Sequence, residues 1–195
     1  LTTIYEEIFC GPQLFKDLYG QEPQFYWEKG LIENEQVIVQ PETLKRLVST
    51  LGEANFGIAS GRQRQLTKYV LKELLNSFNP KASVFLDDIE AAEQETTRSG
   101  GIRVNLKKPN PYSLLRSSQG LRPFRLALYV GDSMEDAMVV KEANRLDPRF
   151  LFAGVYRHSD CKEEVLKDFL KAEADMILPS VNELPQLLET IKEER

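Results

Sequence analysis

From about residue 42 onward, short apolar runs alternate with helical stretches, and this order restricts the fold more than any single motif does. A helical stretch from Glu42 to Thr50 leads into the apolar run 54–59. Residues 62–76 follow, with Leu66, Tyr69, Val70 and Leu74 spaced along one helix face. The run 82–86 precedes a polar, helix-like segment from Asp88 to Arg98 that Gly100-Gly101 closes. Past Lys107-Lys108-Pro109-Asn110, a short helix opens on Pro111 with Asn110 as its cap. The most apolar run, 126–130, enters Gly131-Asp132-Ser133 and a helix through Ala143. Strand 150–155, helix 161–171, strand 176–178 and a helix from Val181 complete the series. Parallel strands need long crossovers, which helices of this length supply, so the expected class is α/β: a doubly wound parallel sheet over residues 42–195.

Residues 1–41 follow no such alternation. Their apolar positions, Ile4 and Ile8, then Leu14, Phe15 and Leu18, suit amphipathic helices, and a separate helical piece is expected. The aromatic cluster Phe25-Tyr26-Trp27 reads first as core packing and second as a wall facing substrate.

Charge and cysteine usage narrow the functional classes. Lys and Arg total 25 against 30 for Asp and Glu, so the net charge of −5 provides no broad basic surface, and no nucleic-acid partner is expected. The excess of acid lies in the first fifty residues, with eight acids and four bases. No apolar stretch approaches the roughly 18 residues of a membrane span, so no membrane partner is expected. Cys10 and Cys161 are far apart and lack metal-ligand spacing; with no leader-like stretch ahead of them, the expected compartment is a reducing cytoplasm.

In an open parallel sheet, ligands bind beyond the carboxyl ends of the strands, which directs attention to three loops. In Gly57-Ile58-Ala59-Ser60-Gly61-Arg62, a strand ends on a hydroxyl and a glycine just before a helix. There Ser60 and the Gly61 N–H could hold a phosphate, although Ser60-x-x-Gln63 also spells a capping box. In Lys107-Lys108-Pro109-Asn110-Pro111, two prolines stiffen the loop and hold Lys108 as a point charge for a phosphate or carboxylate; an ordinary surface lysine fits equally well. In Gly131-Asp132-Ser133-Met134-Glu135-Asp136, Asp132 and Asp136 could bind a hard cation such as Mg²⁺. Ser133-x-x-Asp136 is also an acceptable capping box, which leaves Asp132 as the acid that helix capping explains least.

Hydroxyl, lysine and carboxylates thus follow one another at successive loops, and in this order the chain resembles the haloacid dehalogenase (HAD) superfamily of phosphohydrolases. Residues 57–62 look like the second family motif, Lys108-Pro109-Asn110-Pro111 the third, and residues 131–136 the fourth. The resemblance implies that Ser60 and Gly61 bind the phosphoryl group and that Lys108 balances its charge. It further implies that Asp132 ligates Mg²⁺ and that Asp136 supports it, as ligand or neighbouring acceptor. The implied activity is Mg²⁺-dependent hydrolysis of a small phosphorylated metabolite through an aspartyl-phosphate, with Ser60, Lys108 and Asp132 in the catalytic machinery. The substrate's identity and the oligomeric state stay open at this point.

One departure stands out. The first family motif, a DxD segment whose leading Asp is the nucleophile, does not occur ahead of Ser60; Asp17 has no such partner, and Asp87-Asp88 reads as a strand end and helix cap. In family members with a helical cap between the first and second motifs, residues 1–41 would be the latter part of that cap. The nucleophile and the central strand of the sheet would then lie upstream of Leu1, which begins the sequence without an initiator Met. The alternative is a non-catalytic phosphate-binding or interaction subunit. His158, in the polar loop Arg157-His158-Ser159-Asp160, is expected in solvent. A Ser-His-Asp hydrolase and a dinucleotide-binding enzyme are both disfavoured, since no histidine lies near a serine nucleophile and no GxGxxG occurs.

Overall fold

The structure is a computed structural model that describes residues 2–121 and 123–193. Its chain falls into two compact units, one comprising residues 1–37 with 65–72, the other residues 38–64 with 73–195. The segment 65–72, which alternation alone groups with the α/β part, therefore clusters with the N-terminal residues.

In the first unit, helix α1 (Thr2–Tyr19) breaks its helical geometry at Gly11, whose φ of 71° suits a residue without Cβ, and Pro12 follows. A Cβ on Gly11 would lie 2.6 Å from the Gly30 nitrogen, so glycine also permits a close backbone approach there. Cys10, Phe15 and Ile32 are buried. The fully buried Glu7 carboxylate accepts the backbone N–H groups of Gln24, Phe25 and Tyr26 at 2.7–3.0 Å. The neighbouring aromatic side chains do not form core: Phe25 is 62% and Trp27 63% exposed, contrary to the packing expected of that cluster. The reason is local, because Glu7 captures the backbone of this loop and leaves those two rings outside.

The second unit is α/β with parallel strands. Helix α2 (Pro41–Leu51) ends at Gly52, and a 3-10 turn at Glu53–Asn55 uses up the start of the run 54–59, leaving only Ile58–Ala59 as β1. Helix α3 (Arg64–Leu71), which apart from Arg64 belongs to the first unit, stops short of residue 76, where a 3-10 turn, Lys72–Ser77, replaces it. Strand β2 (Ser83–Val84) pairs in parallel with β1. Helix α4 (Leu86–Gly100) ends on Gly101 in the left-handed region, and α5 (Tyr112–Gln119) starts where the Asn110 side chain accepts the Tyr112 N–H at 2.9 Å. Then come β3 (Ala127–Gly131), α6 (Met134–Asn144), β4 (Phe150–Val155), α7 (Lys162–Lys171), β5 (Met176–Leu178) and α8 (Leu184–Glu193).

These strands form two separate parallel sheets, β1-β2 and β3-β4-β5. The main core packs α5, α6 and α7 against the three-stranded sheet through Leu114, Val139, Val140, Ala143, Phe150, Phe152 and Phe169. Phe152 and Phe169 meet edge to face, with ring centroids 5.4 Å apart. A Cβ on Gly154 would collide with Phe169, so that ring lies directly on the β4 backbone.

Candidate functional site

Between the two sheets lies a cavity of about 830 Å³ bounded by residues 56–59 on one side and 126–132 on the other. Its walls are mostly apolar, with Leu47 and Leu51 of α2, Leu114 of α5, and Leu184 and Leu188 of α8 among them. Lys108, Asp132 and Asp136 line it as well, and these charged groups sit where β3 ends.

The edges that face this groove can be read from the hydrogen bonds on the opposite sides. The Ser60 N–H donates to Val84 O of β2 at 3.0 Å, so by strand alternation the backbone groups of Ala59 point the other way, into the groove. Likewise the Ala127 N–H donates to Arg149 O beside β4 at 2.9 Å, which turns the backbone groups of Leu128 and Val130 toward the groove. Across it, the Tyr129 hydroxyl reaches the Ala59 carbonyl oxygen at 3.0 Å.

Asp136 organises the polar end. Ser133 and Asp136 form a reciprocal capping box at the start of α6, as their spacing implies. Oδ2 accepts the N–H groups of Asp132 and Ser133 at 3.1 and 3.2 Å and the Ser133 hydroxyl at 2.8 Å. Oδ1 lies 2.6 Å from Lys108 Nζ and 3.1 Å from Tyr129 Oη. A Cβ on Gly131 would fall 2.4 Å from Asp136 Cβ, so only glycine lets this carboxylate tuck under the loop. Burial alone would raise the Asp136 carboxyl, but the Lys108 ammonium, together with the hydrogen bonds from Ser133 and Tyr129, holds it below the usual range. For Lys108, burial pulls the ammonium down, yet the neighbouring Tyr129 hydroxyl and Asp136 carboxylate leave it above an ordinary lysine. Tyr129 is pushed up to about 12 by burial, reinforced by the Asp136 charge. The resting triad is thus ammonium, carboxylate and protonated phenol.

The remaining expected residues are placed as follows. Asp132 is exposed, and its carboxylate has no hydrogen bond or ion pair with the described residues. Ser60 directly follows β1, and its hydroxyl accepts the Arg62 N–H at 3.1 Å in a short local turn. It is not the cap of α3, which starts at Arg64; the Arg64 N–H donates instead to Asp87 Oδ2 at 2.7 Å. Gly61 is exposed, with open space where a side chain would be. Lys108 precedes a cis bond to Pro109. Asp88 accepts the Phe85 N–H and pairs with Arg64, both at 2.7–2.8 Å, so Asp87 and Asp88 serve the two helix starts. His158 is exposed. Tyr129 escaped the sequence reading, although a lone phenol in an otherwise aliphatic run was a visible signal.

No protein-family model matches the chain, and no curated protein does. Among solved structures it is similar to a crystal structure of a protein about twice its length. That crystal structure, a Northeast Structural Genomics Consortium target, shares 21% identity with a TM-score of 0.73 over 100% of this chain and 53% of the other. The likeness establishes a common fold, and the chain spans about half the length of that neighbour. Among the described residues, no cluster of three or more His, Cys, Asp or Glu side chains is placed to hold a metal ion, and no helix is long and apolar enough to cross a membrane.

A hard cation therefore has one open carboxylate here. Mg²⁺ commonly takes one or two protein carboxylates and fills its other positions with water and phosphate oxygens, so Asp132 is a fitting donor. Asp136 suits the supporting role better than the ligand role, because both of its oxygens are engaged.

Proposed function

We propose that this chain is part of a Mg²⁺-dependent phosphohydrolase of HAD type that hydrolyses a small phosphorylated metabolite. The observation that carries this reading is the meeting of Lys108, Asp132 and Asp136 at one end of a groove whose two long edges are unpaired parallel strands. A further parallel strand in that groove would join the two sheets into one doubly wound sheet, with its carboxyl end beside Lys108. In this reading the nucleophilic aspartate is carried at the end of that strand and lies outside residues 1–195.

Phosphoryl transfer asks the protein mainly for positioning and charge neutralisation. Lys108, fixed by Asp136, offsets the negative charge shared by the nucleophile and the phosphoryl oxygens. The Ser60 hydroxyl and the Gly61 N–H, at the end of β1, donate to a phosphoryl oxygen. Asp132 would hold Mg²⁺, which supplies further positive charge to the phosphate when bound. The apolar groove walls exclude water from the strand that carries the nucleophile.

The test is phosphate release from small phosphomonoesters by the natural full-length protein, with Mg²⁺ and with chelator. Release that requires Mg²⁺ and falls at least about 100-fold in Asp132→Ala is expected. Undiminished turnover by that variant overturns the assignment. If the full-length protein binds phosphate without any turnover, the non-catalytic reading takes its place; the missing DxD in residues 1–195 favours that reading.

A further inference from the structure

Tyr129 belongs to none of the loops that the reaction would use, yet its hydroxyl stands between two acceptors. It lies 3.0 Å from the Ala59 carbonyl oxygen and 3.1 Å from Asp136 Oδ1. A phenol has one proton, so it can donate to only one of them at a time. The two acceptors differ in what else can serve them. Ala59 O faces the groove, where the backbone N–H of an added strand would take it. Asp136 Oδ1 is the atom that grips Lys108 Nζ at 2.6 Å, and its carboxylate is only 5% exposed, so water is a poor substitute donor.

We propose that Tyr129 is a positioning residue: through Asp136 Oδ1, its hydroxyl fixes the carboxylate that holds the Lys108 ammonium at the groove mouth. It does so fully once a strand amide takes over Ala59 O. Sheet completion and the setting of Lys108 are then linked through a single proton. The ring itself also lies beneath the ammonium, 5.6 Å from Nζ to the centroid, so the hydroxyl and the ring have separable parts. The catalytic consequence rests on the phosphohydrolase reading above, whereas the placement of Lys108 does not.

Tyr129→Phe keeps the ring and removes the hydroxyl; Tyr129→Leu removes both. The experiment uses the full-length protein with lysine labelled at Cε, the Lys108 resonance being assigned by its loss in Lys108→Arg. In Tyr129→Phe the Lys108 resonance is expected to move toward those of exposed lysines. The same variant should lose about tenfold in kcat on a phosphomonoester, the worth of one hydrogen bond to a charged group, with KM changed less than about twofold. Tyr129→Leu should add a smaller loss, that of the ring beneath the ammonium. An unmoved Lys108 resonance in Tyr129→Phe overturns the proposal, as does a loss seen only in Tyr129→Leu, which would assign the effect to ring packing. If the unmutated protein turns over no ester, the phosphohydrolase reading falls and the Lys108 resonance alone decides the role of Tyr129.

Discussion

Asp136 takes hydrogen bonds from the backbone of its own loop, from Ser133, from Lys108 on a distant loop and from Tyr129 on the neighbouring strand. Removing its charge leaves an ammonium whose side chain is only 20% exposed without its counterion. Asp136→Asn should therefore cost about 3 kcal/mol, the scale for breaking a largely buried pair, as measured by urea unfolding at neutral pH. The sign of the pH dependence follows from the two shifts. The folded carboxyl lies below its ordinary 3.8, so its contribution is present above pH 3.8 and is lost as pH falls through the folded value. The folded ammonium lies above its ordinary 10.5, so its contribution is intact below pH 10.5 and is lost as pH rises through the folded value. The gap between Asp136→Asn and the unmutated protein should accordingly be widest between these limits and narrow on acidification below pH 3.8. A gap that is the same at pH 3 and pH 7 would show the pair contributing little. The capping half of this residue was legible in Ser133-x-x-Asp136, because that contact is local. Its grip on Lys108 was not, since residues 28 apart in sequence meet only through the fold.

At the level of elements, local chemistry decided how well each segment could be read. The run 150–155 became β4 over its whole length, flanked by partners on both edges, and the helix stop at Gly100-Gly101 appeared where a left-handed cap closes α4. The run 54–59 lost its first half to a turn, and the periodic stretch 62–76 gave way to 3-10 geometry after Leu71, because tertiary packing overrides weak propensities at segment ends. In α1 the informative residue was hidden: nothing in the surrounding sequence singles out Glu7, yet it is fully buried beneath three backbone N–H donors. Burial by itself would raise its carboxyl, but the amides of Gln24, Phe25 and Tyr26 bring it below the ordinary 4.5. Its contribution is therefore present above pH 4.5 and lost as pH falls through the folded value. Glu7→Gln, which turns an amide NH₂ toward donors, should release the loop from α1. Amide protection at residues 24–26, taken relative to the intrinsic exchange rate at each pH, should fall in that variant at pH 7, and in the unmutated protein only on acidification below pH 4.5. Unchanged protection in Glu7→Gln would show that the loop is held by other contacts.

On the scale of the whole molecule, two parallel sheets share one cavity, and each turns an unpaired edge into it. The α/β class and the order of its strands were readable from alternation, because each strand and helix announces itself locally. A central strand missing from these residues was an expectation of the sequence, and it would leave the runs 54–59 and 126–130 without a shared neighbour; which strands pair, β1 with β2 and β3 with β4 and β5, was not readable, since pairing partners are set by long-range register. The groove makes a prediction that is independent of any activity. If a strand fills it in the full-length protein, the amides of Ala59, Leu128 and Val130 gain acceptors at once, whereas those of Ala127, Tyr129 and Gly131 are already turned toward β4. Hydrogen exchange should therefore slow selectively at Ala59, Leu128 and Val130 in the full-length protein relative to residues 1–195, with little change at the alternate positions. The odd-even pattern is the decisive part. Uniform slowing along β3 would indicate general stabilisation, and no slowing would mean that the groove stays open in the full-length protein, leaving Tyr129 as the donor to Ala59 and removing the completed sheet from the account of the site.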